Sequence, residues 1–399
     1  MKIVGFLTEY NPMHLGHARH IELTRRAAGD CALVCVMSGN FVQRGDFAIM
    51  NKASRAEAAV RSGVDLVLEM PTPLALASAE RFASSAVRLL HDTGAVDCIS
   101  FGSECGDAKA LAAAADALLD AGFSEKLKEE LAGGISFAAA RQAAVRAINK
   151  DAADVLASPN DILGVEYMKA IKRFAPELEP MVIKREGSVH DGEGLGELPS
   201  ASALRSAIFA GNIGGALEGM TEASKSVLLR EMEAGRAPVC FMTCERAALA
   251  KYRSMSKEDW SATDGAGEGL YHRFFRCARS ATGIDDMLAG VKSKRYAYTR
   301  IRRTALCAYL GIRAEDTPER APYIRPLAFN GVGREILAKM KKNAEIPIIT
   351  KTADVRKTGG AALRMFELEA QCTDLYTLGY PRLSESEGGS EWRISPFIL

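Results

Sequence analysis

Four short apolar runs, each followed by a stretch of helical periodicity, fill the first part of the chain, and no other feature restricts its fold as much. The runs are 2–7 (KIVGFL), 31–37 (CALVCVM), 64–69 (VDLVLE, stopped by Pro71) and 96–101 (VDCISF). Residues 15–28, 52–62 and 78–91 read as helices between them. In the last, Ala79, Phe82, Ala86, Leu89 and Leu90 share one face. Strands that are apolar along their whole length are buried on both faces, and alternation with helices joins them by crossovers. The pattern predicts a parallel sheet covered on both sides.

Residues 107–175 are mostly helical and Ala-rich, broken at Pro159, with Asn160-Asp161 as a helix start. Residues 180–184 (PMVIK) supply a fifth strand. Residues 187–199 hold several glycines and Pro199 and read as a mobile loop, after which Ser200 opens a helix to about 210. The Gly-rich stretch 211–219 (GNIGGALEG) is the expected boundary between a first domain, 1–212, and a second, 213–399. A length of 399 residues suits two domains. The second is mainly helical, over 267–280, 283–291 and 298–310. PYIRPLAF, VGREILAKMKK and IPIIT suggest a small strand–helix–strand unit near its end.

A net charge of +1 gives no global field toward nucleic acid or membrane, so any polyanion site must be a local patch. Met1–Leu7 runs straight into a strand and Glu9 interrupts any apolar core, which argues against a signal peptide. No apolar run reaches the roughly 18 residues of a membrane helix. Nine scattered cysteines and six histidines complete no zinc pattern, so no metal-ligand set is expected. The cysteines read as small buried hydrophobes in a reducing cytoplasm.

The segment Leu7-Thr8-Glu9-Tyr10-Asn11-Pro12-Met13-His14-Leu15-Gly16-His17 joins the first strand to the first helix. Ligands of open parallel sheets bind at the C-terminal ends of strands. The following helix is expected to offer free N–H groups and a positive dipole end to phosphates. Gly16 is expected to let a nucleotide approach the backbone. His14 and His17, three residues apart, face one ligand and donate to phosphate oxygens. They are the expected catalytic pair, stabilising charge that grows on the α-phosphoryl oxygens as pyrophosphate is displaced in line. Two surface histidines near a helix start by accident are the plain alternative. Placement directly behind the first strand, after a turn-forming Asn-Pro, argues against accident.

This context resembles the HxGH nucleotidyltransferase superfamily. Pro199-Ser200-Ala201-Ser202-Ala203-Leu204-Arg205 is similar to that superfamily's ISSTxIR-like segment. Ser200 or Ser202 would cap the helix and Arg205 would reach polyphosphate, with Ala203 where the motif has Thr. Longer segments cover nearly the whole chain: GFLTEYNPMHLGH, SGNFVQRGDFAIMNKASRAEAAVRSGVDLVLEMP, SAERFASSAVRLL, ISFGSE, SPNDILGVEYMKAI, IKREGSVHD, KRYAYTRIRR, RPLAFNGVGREIL and PIITK. Together they resemble the bacterial tRNA(Met) cytidine acetate ligase family.

That resemblance implies a Rossmann-like α/β nucleotidyltransferase domain followed by a mainly α-helical domain. It implies activation of acetate by ATP, with Mg²⁺ accompanying the triphosphate, and acetylation of N4 of the wobble cytidine of elongator tRNA(Met). No obligate protein partner is implied. The implied ATP site runs from Leu7 through Ala18, Arg19 and His20, then takes in Gly102, Asn160, Arg185 and Glu186. Gly102 ends the fourth strand, where a side chain would obstruct a nucleotide. Asn160 pairs with a base or ribose, and Arg185 binds phosphate bidentately. Thr8, Met13 and Leu15 depart from the family's usual residues and bear on pocket shape more than on chemistry.

Arg44 and Lys52 follow the second strand and would offer positive charge to an anionic substrate, or else be solvated loop charges. In residues 292–303, six of twelve are basic, with Tyr296 and Tyr298 interleaved. Lys294, Arg295, Arg300, Arg302 and Arg303 are the expected tRNA contacts, against the plainer reading of a solvated helix face. Two other functions fit parts of the pattern: an adenylyltransferase acting on a small phosphorylated cofactor precursor, and a non-catalytic, nucleotide-dependent RNA-binding protein.

Overall fold

Among the described residues nine strands form, in the order the apolar runs suggest, with additions from the second half of the chain. The structure, a computed structural model, describes residues 1–185 and 198–399. The strands are β1 (Lys2–Thr8), β2 (Cys31–Ser38), β3 (Phe41–Val42), β4 (Asp46–Phe47), β5 (Leu66–Met70), β6 (Cys98–Ser103), β7 (Glu179–Lys184), β8 (Pro326–Phe329) and β9 (Phe397–Ile398). Seven make one sheet in the order β7-β6-β1-β2-β5-β8-β9, and β3 and β4 make a separate hairpin. From β7 to β5 all pairings are parallel. The order changes direction at β1, whose two neighbours are β6 and β2. In such sheets that point opens a crevice at the strand ends.

Both faces of the sheet are covered, as continuous apolar strands require. On one face Ile3, Val34, Val36, Leu66 and Leu68 pack with the helices Ala79–Asp92 and Pro159–Phe174. On the other, Val4, Phe6, Leu33, Cys35 and Val67 meet Ile21 of α1 (Leu15–Ala28) and Ala56, Ala59 and Val60 of α2 (Lys52–Arg61). Pro159 stands in the first turn of its helix, where its missing N–H costs nothing.

The sheet continues past the expected boundary. Pro326–Phe329 does not stay in a small unit of its own but pairs antiparallel with β5, and Phe397–Ile398 pairs parallel with it in turn. The edge of β5 is apolar and would otherwise stand open. Asp65 fastens the join by accepting from Asn330 Nδ2 at 2.9 Å. IPIIT forms no regular strand, only a bridge between Ile324 and Ile348. A division into 1–212 and 213–399 stands as a proposal about folding units, and the sheet spans it.

The second half is mainly helical, and Leu270–Ser280, Ile284–Val291 and Tyr298–Leu310 follow the expected ranges. Its aromatic core takes in the β3–β4 hairpin: Phe47 stacks on Phe241 at 5.6 Å and on Tyr376 at 5.4 Å. Six of the nine cysteines are buried, and all nine are free thiols. Among the described residues no helix is long and apolar enough to cross a membrane.

Candidate nucleotide site

At the C-terminal ends of β1 and β6 lies a cleft of ≈ 1310 Å³. Single-ligand pockets usually hold about 300–1,000 Å³, so this one has room for a nucleotide and a second reactant. Leu7 through Asn11, His14 through His20, Gly102, Asn160, Arg185, Ser202, Arg205, Arg44 and Arg302 line it. Among the described residues six basic and three acidic side chains line the space, an excess of positive charge suited to a polyanion.

The histidines are held by their own backbone. His14 is the N-cap of α1, and its Nδ1 accepts from Gly16 N–H at 3.1 Å. His17 Nδ1 accepts from His14 N–H at 3.2 Å. The rings lie with centroids 3.7 Å apart. An imidazole whose Nδ1 accepts carries its proton on Nε2 when neutral. Burial, then the charges of Arg185 and Arg205, lowers His14 to about 4. Burial, then His14, His20 and Arg185, holds His17 well below its ordinary value. His20, which shares a hydrogen bond of 3.2 Å with Ser100 Oγ, is lowered to about 4 by burial and then by Arg185. The pair is therefore neutral near pH 7 and offers two Nε2–H donors, as a fixed electrophile requires.

Two expectations about this turn change. The first-turn N–H groups of α1 are already engaged. Leu15 N–H donates to Gly219 O at 2.9 Å, Gly16 N–H to His14 Nδ1, and His17 N–H to His14 O at 2.9 Å. Phosphate contacts therefore fall to side chains. Gly16 is needed by the protein itself: a Cβ there would lie 2.9 Å from His14 Cε1. Likewise the bare face of Gly102 is covered by the Arg185 side chain, whose Cγ would be 3.2 Å from an added Cβ.

Further walls come from distant segments. Ser200 caps the helix Ala201–Phe209, accepting from Ala203 N–H at 3.2 Å. That frees Ser202 Oγ to accept from Arg205 Nη2 at 3.1 Å, while Arg205 Nη1 donates to Asn11 O at 2.7 Å. Asn160 Nδ2 donates to Glu104 Oε1 at 2.5 Å, clasping the end of β6 to the helix behind it. Glu104 was missed by residue reasoning; its only signal is the quoted ISFGSE segment. Gln43 and Asp46 line the cleft beside Arg44, as expected of the loop after the second strand, whereas Tyr167 and Thr299 join the lining with no local pattern to mark them.

Other expected residues lie elsewhere. Met13 is buried in the core, and Pro12, after a cis Asn11-Pro12 bond, is buried as well. Glu186 lies outside the described residues, as does most of the expected 187–199 loop. Lys52 does not face the cleft. It is 1% exposed and held by Glu69 and by Glu391 at 2.6 Å, in a buried group with Glu369 and Arg325. Burial, then Glu69, pushes the Glu369 carboxyl up to about 8.

The basic run divides. Arg302 lines the cleft and pairs with Asp46 at 2.8 Å. Arg303 donates to Gln43 O at 3.4 Å, and Arg300 pairs with Glu268 at 3.0 Å. Lys294 and Arg295 are exposed outside the cleft, while Tyr296 is buried, donating to Glu268 O at 2.6 Å.

Residues 1–391 match the model of the HIGH nucleotidyl transferase family. Over 415 aligned residues the chain is 37% identical to the tRNA(Met) cytidine acetate ligase of Acetivibrio thermocellus, with 100% of each covered. The chain belongs to that ligase family. The ligase of Halothermothrix orenii is 33% identical, with 99% of each covered. The crystal structure of Thermotoga maritima TmcAL without ligand superposes with a TM-score of 0.94 at 33% identity, with 100% of both chains covered. The same protein bound with alpha-thio ATP gives 0.93 at 34%, again with 100% of both covered. Ligases of this family and this chain thus share sequence and fold from end to end.

Proposed function

We propose that this protein is an ATP-dependent ligase that converts acetate to acetyladenylate and passes the acetyl group to N4 of the wobble cytidine of elongator tRNA(Met). The observation that carries the reading is the His14–His17 pair, neutral and presenting Nε2–H donors, in a basic cleft at the switch point of the sheet. The family supports it, as does the nucleotide analogue bound by the Thermotoga maritima relative.

In the first step an acetate oxygen attacks the α-phosphorus and pyrophosphate leaves in line. His14 and His17 donate to the α-phosphoryl oxygens as charge builds there, and Arg185 and Arg205 hold the polyphosphate. Gly102, Asn160 and Ser202 complete the nucleotide wall. Mg²⁺ would arrive on the triphosphate as part of the substrate: among the described residues the cleft carboxylates are Glu9, Glu22 and Asp46, too few uncommitted oxygens for a cage. Asp46 and Glu22 are both committed to arginines. In the second step the N4 amine attacks the acetyl carbon and AMP leaves. The cytidine must leave its stack to reach the cleft. Arg44 and Arg302 at the cleft, with Lys294 and Arg295 outside it, would meet the RNA backbone. The reaction belongs in the cytoplasm, where tRNA is found.

Incubation with ATP, acetate and tRNA, followed by mass spectrometry of the nucleosides, tests this. N4-acetylcytidine with AMP and pyrophosphate is the expected result. A stable dinucleotide and unmodified tRNA would sink it. Reversing the charge of Lys294 and Arg295 should weaken tRNA binding and flatten its salt dependence.

A further inference from the structure

Transfer of the acetyl group to RNA, on the ligase reading above, needs a proton acceptor. As N4 attacks, the N–C bond forms and the acyl C–O bond to phosphate breaks. AMP departs with that electron pair, and one N4 proton must go elsewhere. The histidines are poorly placed to take it: each holds its proton on Nε2, and each Nδ1 lone pair is engaged by a backbone N–H.

Among the described residues three carboxylates line the cleft. Glu22 is tied to Arg19 at 2.8 Å and to Arg26 at 2.5 Å. Asp46 is paired with Arg302 through Oδ2, and its Oδ1 accepts from Phe241 N–H at 2.8 Å. Glu9 differs. Its Oε1 accepts from Gln43 N–H at 2.8 Å, while Oε2 makes no hydrogen bond or ion pair among the described residues. The single hydrogen bond fixes the carboxylate and leaves one oxygen in the cleft. Its charged and titratable surroundings are Arg55, which donates to the Glu9 carbonyl, Arg205 and Tyr167.

Position adds to this. Glu9 stands just past the end of β1, between α1 with its histidines and the loop carrying Arg44, which packs against the helix that brings in Arg302. That is the boundary between the nucleotide wall and the side from which RNA would come. We propose that Glu9 is the general base that takes the N4 proton while the acetyl group moves to cytidine.

Glu9→Gln keeps an acceptor for the Gln43 N–H and nearly the same shape, so the two half-reactions can be read separately in the full-length protein. Acetate-dependent exchange of pyrophosphate into ATP reports the first, and transfer from synthetic acetyladenylate to tRNA reports the second. Transfer should fall roughly a hundredfold or more, the loss of a general base, and at least about thirtyfold beyond any loss of exchange. Transfer at the wild-type rate overturns the proposal and leaves the AMP phosphate as the acceptor. An equal loss of both half-reactions also overturns it, since a residue that only holds ATP would give that result. A wild-type protein with no exchange sinks the ligase reading instead, and that is decided before the variant is made.

Discussion

His14 and Gly16 act as one unit. Gly16 lends its N–H to the ring and surrenders the space a methyl group would take. Gly16→Ala must turn the His14 ring away, removing one donor from the growing charge. Acetyladenylate formation should then fall roughly a hundredfold, with an unchanged circular-dichroism spectrum. The depressed histidines also set a stability slope. An unfolded histidine titrates near its ordinary value of about 6.5, and His14 and His20 at about 4 when folded. Through that window the unfolded chain binds protons the folded chain refuses, so stability is full above it and declines as pH falls. Urea midpoints of the nucleotide-free protein should drop from about pH 6.5 toward pH 4, and less steeply in His20→Asn. An equal slope in the variant would assign the protons to other groups.

At the scale of elements, the strands of the first half were legible because each is apolar from end to end, and the site turn because its histidines, glycine and proline sit together. What was not legible came from partners distant in sequence. The first donor of α1 is taken by Gly219, which no local pattern of the turn reveals. Lys52 reads as a loop cation beside Arg44, yet it begins α2 inside the protein, and one of its partners, Glu391, is 339 positions away. β8 lies within PYIRPLAF and was legible as a strand, but its pairing with β5 was not, and β9 is two residues long, too short to announce itself. Lys52→Met tests the relocation. Removing one member of a buried ion group costs about 3–5 kcal/mol, so the urea midpoint should fall sharply while KM for ATP holds. A raised KM with unchanged stability would return Lys52 to the substrate.

For the whole molecule, the two halves of the sequence share one sheet and one cleft. Thr299 and Arg302 of the second half line the site, and Phe41 and Phe47 of the first half sit in the helical core. A fragment of residues 1–212 would expose the edge of β5 and leave Glu69 without Arg325. It should give a poorly dispersed amide NMR spectrum and no cooperative urea transition. A well-dispersed spectrum would support 1–212 as an independent folding unit.

The strand that closes the sheet pairs residues 397 and 398 with 328 and 329. The nucleotide turn follows β1, near residue 10, yet the sheet behind it is closed by residues more than 300 positions further along the sequence. The strand order thus ties the nucleotide turn, through β2, β5 and β8, to residues that never meet the nucleotide.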